Sequence, residues 1–389
     1  MLNRRKRFLT LRLYLSDILH TLTGTKTSPE IPSSHCELLN NDSNMKAYQS
    51  FNTNLPRRYT SMKKVLLSEK IDNAGIQLLK DNGFSVSIAS GTDVASMKEG
   101  IKDAYAVIMR SSELPAEVIN AGKQLKIISR NGTGINNVDV DAATKQNIMV
   151  AKVNGANAFS VAEYVITTML MLSRKIMHTD QLLHEKKEEL SGMSLPGFST
   201  KYQLNGNELA GKTLAILGYG KIGQQLAKLA KAFNMNVIGY DPYAKNADIK
   251  LYDKLTDIYP IADFISINMP LTPETKDTIT AKELKMMKKT AFLINSARGG
   301  IVNEADLADA LNNDVIAGAA LDSFNPEPPS PDNPLFTSKN TIATSHVAGT
   351  TKEANKRLGL GAAQAIIDYA NGKMPQFPVN PEVGISKED

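Results

Sequence analysis

The sequence predicts an α/β protein built from two doubly wound parallel sheets with a cleft between them. Two observations carry that expectation. From Met62 onward, short apolar runs of strand length alternate with helical patterns. At residues 213–233 a strand, a glycine turn and a helix follow one another and begin a second set of such units. Alternation of this kind implies parallel strands with helices covering both faces.

The first set of strands reads KVLL (64–67), FSVSI (84–88), YAVIM (105–109), LKIIS (125–129) and IMVAKV (148–153). Helical patterns such as NAGIQLLKDNG (73–83) and AEVINAGK (116–123) lie between them. Ligands of parallel sheets sit beyond the carboxyl ends of strands. Two loops fall there: Arg110-Ser111-Ser112 and Arg130-Asn131-Gly132-Thr133-Gly134. Either could equally be an ordinary polar turn. The stretch VNGANAFSVAEYVITTMLMLSRKI (153–176) predicts a long buried helix, with Ser160 and Glu163 spaced as a capping box. Residues 178–210 read as a charged helix followed by loop, the KKEE run (186–189) being a solvated face.

The second set opens with TLAILGYGKIG (213–223), in which Gly218, Gly220 and Gly223 have G-x-G-x-x-G spacing. The first glycine permits the tight turn, the second lets backbone approach a pyrophosphate, and the third lets helix pack on strand. The helix start then offers N–H groups and a positive dipole end to the phosphates. The run MNVIGY (235–240) ends at Asp241, eighteen positions after Gly223. An acid there meets ribose hydroxyls and repels a 2′-phosphate, so NAD is expected rather than NADP; the plainer reading is a turn-former before Pro242. Further strands are ADFISINM (262–269), TAFLINS (290–296), VIAGAAL (315–321) and NTIATS (340–345). The last helical pattern, 351–372, has no strand after it and is expected to return to the first sheet.

Three strand ends in this half carry chemistry: Arg298 after TAFLINS, Glu327 after VIAGAAL and His346 after NTIATS. Together they make a hydride-transfer site for a 2-oxo acid. A guanidinium forks onto the carboxylate, an imidazole exchanges the hydroxyl proton, and a carboxylate fixes the imidazole tautomer. Taken singly, each has a bland reading: a surface ion pair, an exposed turn residue, a satisfied core histidine.

Composition narrows the classes. The formal net charge is +5, yet residues 1–61 hold nine Lys/Arg against four Asp/Glu, and the rest of the chain holds 36 of each. A neutral body argues against a nucleic-acid surface. Cys36 is the only cysteine, so a disulfide framework and a Cys metal site are not expected, and neither is any other metal. No apolar run reaches membrane-spanning length. The expected compartment is the cytoplasm, with the basic, acid-poor start readable as a transit peptide. Residues 1–61 are expected to be a disordered basic extension.

The stretches SRNGTGINNVDV (129–140), NGANAFSVAEYV (154–165), GYGKIG (218–223), MPLTPET (269–275), INSARGG (294–300), GAALDSFNPEP (318–328) and SHVAGTT (345–351) resemble the D-isomer-specific 2-hydroxyacid dehydrogenase family. The resemblance covers residues 62–381. It implies a flavodoxin-like substrate domain (62–158 plus 347–389) and a Rossmann NAD-binding domain (159–346). It implies that Arg298, Glu327 and His346 are catalytic. It carries NAD contacts to Gly218, Gly220, Lys221, Ile222, Gly223, Asp241, Pro270, Ser296, Ala297, Arg298, Asp322, His346, Val347, Ala348 and Gly349. It gives substrate contacts to Arg110, to the amides of the Ser111 and Gly132 loops, to Asn157 and to Arg298. A homodimer is the family's usual state. Within the family the sequence is most similar to members acting on 3-phosphoglycerate, with Arg110 facing the phosphate, although Phe159 stands where many relatives carry Arg. The chain ends soon after Pro381, so serine feedback through a C-terminal regulatory domain is not expected. The alternatives are a hydroxypyruvate/glyoxylate or general 2-oxoacid reductase and, outside enzymes, an NAD-sensing transcriptional corepressor.

Overall fold

The computed structural model describes residues 62–385. The expected disordered extension, 1–61, lies outside the described residues. The first sheet has five strands: β1 Lys64–Leu67, β2 Ser85–Ile88, β3 Ala106–Met109, β4 Ile127–Arg130 and β5 Met149–Lys152. They pair in parallel in the order β2-β1-β3-β4-β5, a doubly wound arrangement. Helices α1 Asn73–Asp81, α2 Val94–Ile101, α3 Ala116–Ile119 and α4 Val140–Lys145 connect them. Three of these helices begin at an aspartate whose carboxylate accepts a free first-turn amide. Asp72 takes Ala74 N–H, Asp93 takes Ser96 N–H and Asp139 takes Ala142 N–H.

Strands with apolar residues on both faces need cover on both faces. Val65, Leu67, Ile108, Ile127 and Met149 pack into one layer. Leu66, Val107, Met109, Ile128 and Val150 pack into the other.

The second sheet has seven strands: β6 Thr213–Leu217, β7 Asn236–Tyr240, β8 Lys250–Leu251, β9 Phe264–Ile267, β10 Phe292–Asn295, β11 Gly318–Leu321 and β12 Thr341–Ala343. All pairings are parallel, in the order β12-β11-β10-β9-β6-β7-β8. The two-residue β8 is too short to register as an apolar run. One face is covered by α5 Ala158–Ser173 and α8 Lys221–Ala232, and α9 Ala281–Leu284 and α10 Glu304–Asn312 lie among the later strands.

The capping box expected at Ser160 does not form. Gly155, at φ +76°, turns the chain so that α5 starts at Ala158 with Asn157 as its N-cap. Ser160 is already helical, and its hydroxyl lies 2.9 Å from that of Thr351. Between 176 and 201 there are two α-helices and a 3-10 turn, not one helix: α6 Ile176–Glu185, the turn Lys187–Leu190 and α7 Leu195–Lys201, the last capped by Ser194. Only Leu182, Phe198 and Leu204 are buried in their small common core, which leaves little periodic signal.

The final helix, α11 Lys352–Ala370, returns to the first sheet and packs on α1 and β4. Ser129 Oγ donates to the Ala362 carbonyl at 3.0 Å. The backbones of α1 and α11 touch: a Cβ added at Gly75 would lie 2.4 Å from Gly359 O. The chain therefore crosses between the sheets twice, at 153–158 and at 346–352. The crossings are bound side by side through Ser160–Thr351 and through Arg357 Nε, which donates to Ala156 O at 2.7 Å.

Among the described residues no helix is long and apolar enough to cross a membrane, and no cluster of three His, Cys, Asp or Glu could hold a metal ion.

Gly75→Ala should push α1 off α11 and lower stability by about 1–3 kcal/mol. The drop should appear as a lower urea midpoint with an unchanged slope; an unchanged midpoint would show that the close approach costs nothing to relax.

Candidate active site

Parallel pairing puts the carboxyl ends of all strands of a sheet on one edge, and the functional side chains emerge there. After β6, Gly218 takes φ +99°, and a Cβ on it would lie 2.8 Å from the Asn268–Met269 backbone. A Cβ on Gly223 would lie 2.4 Å from Gly218 O, so α8 presses against the turn. Beside Gly220, by contrast, there is open space, and no side chain caps the helix it begins. That is the shape a pyrophosphate needs: exposed backbone at a positive helix end. The side chain of Lys221 leaves this turn and packs against Gly155 of the first crossing.

Asp241 ends β7. Its carboxylate accepts Tyr219 N–H at 2.7 Å on one oxygen and the amides of Tyr243 and Ala244, at 2.8 and 3.1 Å, on the other. Three of a carboxylate's roughly four acceptor sites are thus engaged. Asp241 therefore ties the glycine turn to the next loop and keeps room for about one ribose hydroxyl.

Two further atoms on this edge fit a dinucleotide. Asn268 Oδ1 and Ser296 Oγ are buried and have no hydrogen-bond partner among the described residues. Buried polar atoms are normally satisfied, so these two are acceptors or donors that a polar ligand on this edge could meet. Ser296 is among the expected cofactor residues; Asn268, next to the Met269-Pro270 step, is not. Its signal was its place one residue past an apolar strand.

The turn after β10 is folded by Asn295, whose amide oxygen accepts Ala297 N–H and whose amide nitrogen donates to Arg298 O. Arg298 is half-buried. One guanidinium nitrogen donates to Ala297 O at 2.7 Å, and the other would lie 2.6 Å from a Cβ on Gly134. An arginine of the second sheet thus reaches the β4 loop of the first.

Glu327 and His346 come from the loops after β11 and β12. They meet directly: His346 Nδ1 lies 2.5 Å from Glu327 Oε1. The contact leaves Nε2 as the ring nitrogen for other work. His346 has φ +56°, a conformation that a non-glycine residue holds only when its surroundings enforce it. Asp322 does the enforcing. It is 1% exposed, and its carboxylate accepts Val347 N–H and Ala348 N–H at 2.8 Å each and the Thr344 hydroxyl at 2.6 Å. The Tyr164 hydroxyl lies 2.7 Å from that of Thr344. Burial, with the Asp322 charge nearby, pushes the Tyr164 phenol up to about 12. In this arrangement Asp322 holds the His346 loop. A hollow of about 740 Å3 opens beside the pair, lined by Phe324, Pro328 and Phe336 among others.

On the first sheet, Arg110 is exposed, and its amide donates to Ser68 Oγ at 3.0 Å. The Ser111 amide, expected to hold a substrate carboxylate, already donates to Glu69 Oε2 at 2.9 Å. Gly132 lies against the guanidinium of Arg130, whose nearest nitrogen would be 2.7 Å from a Cβ there. Burial pulls the Arg130 pKa down, Glu69 raises it, and Arg298 and Arg110 press it down again. Asn157 lies against Gly349, joining the two crossings. Arg130 opens one of the two loops the sequence marks, but Glu69 and Asn137 are not singled out by the sequence, although Asn137 binds three groups here. Its Nδ2 donates to Ser112 O at 2.7 Å and to Arg110 O at 3.3 Å, and its Oδ1 accepts Arg130 Nε–H at 3.1 Å.

Comparison with known proteins agrees with this geometry. The family model described as D-isomer specific 2-hydroxyacid dehydrogenase, NAD binding domain, matches residues 166–348. A D-3-phosphoglycerate dehydrogenase of Methanocaldococcus jannaschii is 38% identical over 325 residues, which is 82% of this chain and 60% of that protein. A protein of Staphylococcus saprophyticus named as a 2-hydroxyacid dehydrogenase is 37% identical over 327 residues, 82% of this chain and 100% of that one. The crystal structure of the TT0316 protein from Thermus thermophilus superposes with a TM-score of 0.74 at 28% identity, covering 81% of this chain and 99% of that one. The chain spans about 60% of the length of the first two D-3-phosphoglycerate dehydrogenases it matches.

Asp322→Ala should strand the Val347 and Ala348 amides and lower stability by about 1–3 kcal/mol. Asp322→Asn, which keeps an acceptor, should lose less; equal stability of the wild-type and Ala proteins in thermal melts would remove Asp322 from this role.

Proposed function

This chain belongs to the D-isomer specific 2-hydroxyacid dehydrogenase family, and from that premise we propose that it interconverts a D-2-hydroxy acid and its 2-oxo acid with NAD, the pair being 3-phosphoglycerate and 3-phosphohydroxypyruvate. The observation that carries the reading is the 2.5 Å contact between Glu327 and His346 at the edge where the glycine turn opens. When bound, NAD supplies the hydride acceptor or donor. Gly220, the start of α8, Asp241, Asn268 and Ser296 are the residues that would hold it. The domain built on the second sheet is thus the cofactor side, and the one built on the first sheet with α11 is the substrate side.

His346 works at Nε2. In the oxidative direction Nε2 takes the hydroxyl proton as the C–H bond gives up its hydride. The imidazolium that results is held by Glu327 through Nδ1–H, which fixes both tautomer and ring orientation. In reduction the same proton returns to the oxo oxygen. Arg298 forks onto the substrate carboxylate and fixes the carbon to be oxidised. The substrate assignment is supported by the names of relatives at 38% and 37% identity and by three guanidiniums, Arg110, Arg130 and Arg298, around one end of the cleft.

A second reading, an unphosphorylated 2-oxo acid such as hydroxypyruvate or glyoxylate, is favoured by Phe159. Its aromatic side chain is 47% exposed and brings no cation for a phosphate. We further propose a homodimer, the usual state of the family. Sedimentation velocity at micromolar concentration tests it, and a monomer there sinks it.

A panel of 2-oxo acids with NADH separates the substrates. Phosphohydroxypyruvate should have the highest kcat/KM, and a clear lead for glyoxylate or hydroxypyruvate would establish the second reading. His346→Ala should cut kcat by roughly 10²–10⁴ with the favoured acid; near-normal turnover would remove it from the mechanism.

A further inference from the structure

Glu69 follows β1 and turns its carboxylate toward the loop after β3. One oxygen, Oε2, accepts four hydrogen bonds: Ser68 Oγ at 2.9 Å, Ser111 N–H at 2.9 Å, Ser112 N–H at 3.2 Å and Ser112 Oγ at 2.9 Å. Two successive amides and two hydroxyls converging on one point form an anion hole, and an anion of the protein's own fills it. Burial alone would raise the pKa of this carboxyl. The hydrogen bonds from Ser111, Ser68 and Ser112 outweigh that and hold it below the usual carboxylate range.

Cations surround the hole. Arg110 immediately precedes Ser111, and its guanidinium lies 3.4 Å from Lys70 O. Arg130 is coupled to the same loop through Asn137, which bonds both Ser112 O and Arg130 Nε. Arg298 reaches the adjoining Gly134. Three guanidiniums and one carboxylate thus share the mouth of the cleft.

We propose that Glu69 is a specificity-determining residue: fixed in the Ser111–Ser112 anion hole, its carboxylate offsets one guanidinium and sets how much negative charge a substrate can bring to this end of the cleft. The proposal rests on the reading that Arg110 and Arg298 receive an anionic substrate. A phosphoryl group carries about −1.5 to −2 at neutral pH. Repulsion from Glu69 therefore falls mainly on the phosphorylated member of any pair of 2-oxo acids that differ only in that group. Because all four donors converge on one oxygen, glutamine can present its carbonyl to them. Glu69→Gln removes the charge and keeps the acceptor, whereas Glu69→Ala removes both.

The test uses the full chain with NADH and the pair hydroxypyruvate and phosphohydroxypyruvate at low salt. Glu69→Gln should lower KM for the phosphorylated acid roughly three- to tenfold more than for the other, with kcat held within about twofold. The difference should shrink in about 0.5 M salt. Glu69→Ala should lose kcat with both acids as the loop comes loose. An unchanged ratio of KM values in Glu69→Gln overturns the proposal, as does an equal fall in kcat for both acids in that variant, which is the mark of a purely structural role. Calorimetric titration with inorganic phosphate supplies a readout without turnover. Glu69→Gln should bind phosphate tighter by a similar factor, and equal affinity overturns the proposal. If the wild-type protein reduces neither acid, the substrate reading fails, and the phosphate titration alone decides for or against Glu69.

Discussion

Parallel pairing of every strand is the constraint from which the site follows. In a parallel sheet all strands end on one edge, so the loops that leave them are neighbours however distant they are in sequence. Gly218, Asp241, Asn268, Ser296, Asp322 and His346 follow six different strands of one sheet, yet they share one rim. The pairing also fixes what those loops can be made of. The strands are apolar on both faces, so polar chemistry is confined to their ends. A carboxylate such as Asp322 can then be wholly enclosed at a strand end and still be satisfied, because adjacent loops turn their amides toward it.

Much of this organisation was legible in the sequence because it rests on repeating, local signals. Apolar runs located eleven of the twelve strands among the described residues to within two or three residues, and glycine spacing located the turn before α8. The return of the final helix followed from the lack of a strand after it. The Glu327–His346 pair was reachable because both residues sit in loops that leave strand ends, six and three residues on. Contacts made through backbone groups were not reachable. Glu69, in the run Ser-Glu-Lys, reads as a solvated charge; three of its four donors lie 42 and 43 residues away, and two of those are main-chain amides that have no sequence signature. Asn137 is similar, since its importance lies in three partners that folding gathers. Ser160 misled for a related reason: its spacing to Glu163 is that of a cap, but a glycine turn upstream starts the helix earlier.

Electrostatics at the mouth of the cleft reflects a balance of unlike groups. Unit charges about 6 Å apart at an effective dielectric near 20 interact by about 3 kcal/mol. Arginines gathered on a cleft without a counter-charge would strain the empty protein. Part of the relief comes from Glu69, and part from neutral acceptors, the carbonyls of Lys70 and Ala297 and the amide oxygen of Asn137. The site thus holds surplus positive charge in a form that the protein tolerates without ligand, while each guanidinium keeps donors free for one.

The two crossings between the sheets have a mechanical consequence. A single linker would let one lobe swivel against the other in any direction. Here two stretches of chain run side by side, pinned by Ser160 to Thr351 and by Arg357 to the carbonyl of Ala156. A pair of adjacent pins leaves one soft degree of freedom, rotation about the line that joins them, and resists shear and torsion. With both pins in place Arg298 of one sheet is held against the Gly134 loop of the other, so the alignment across the cleft rests on the joint as well as on the sheets.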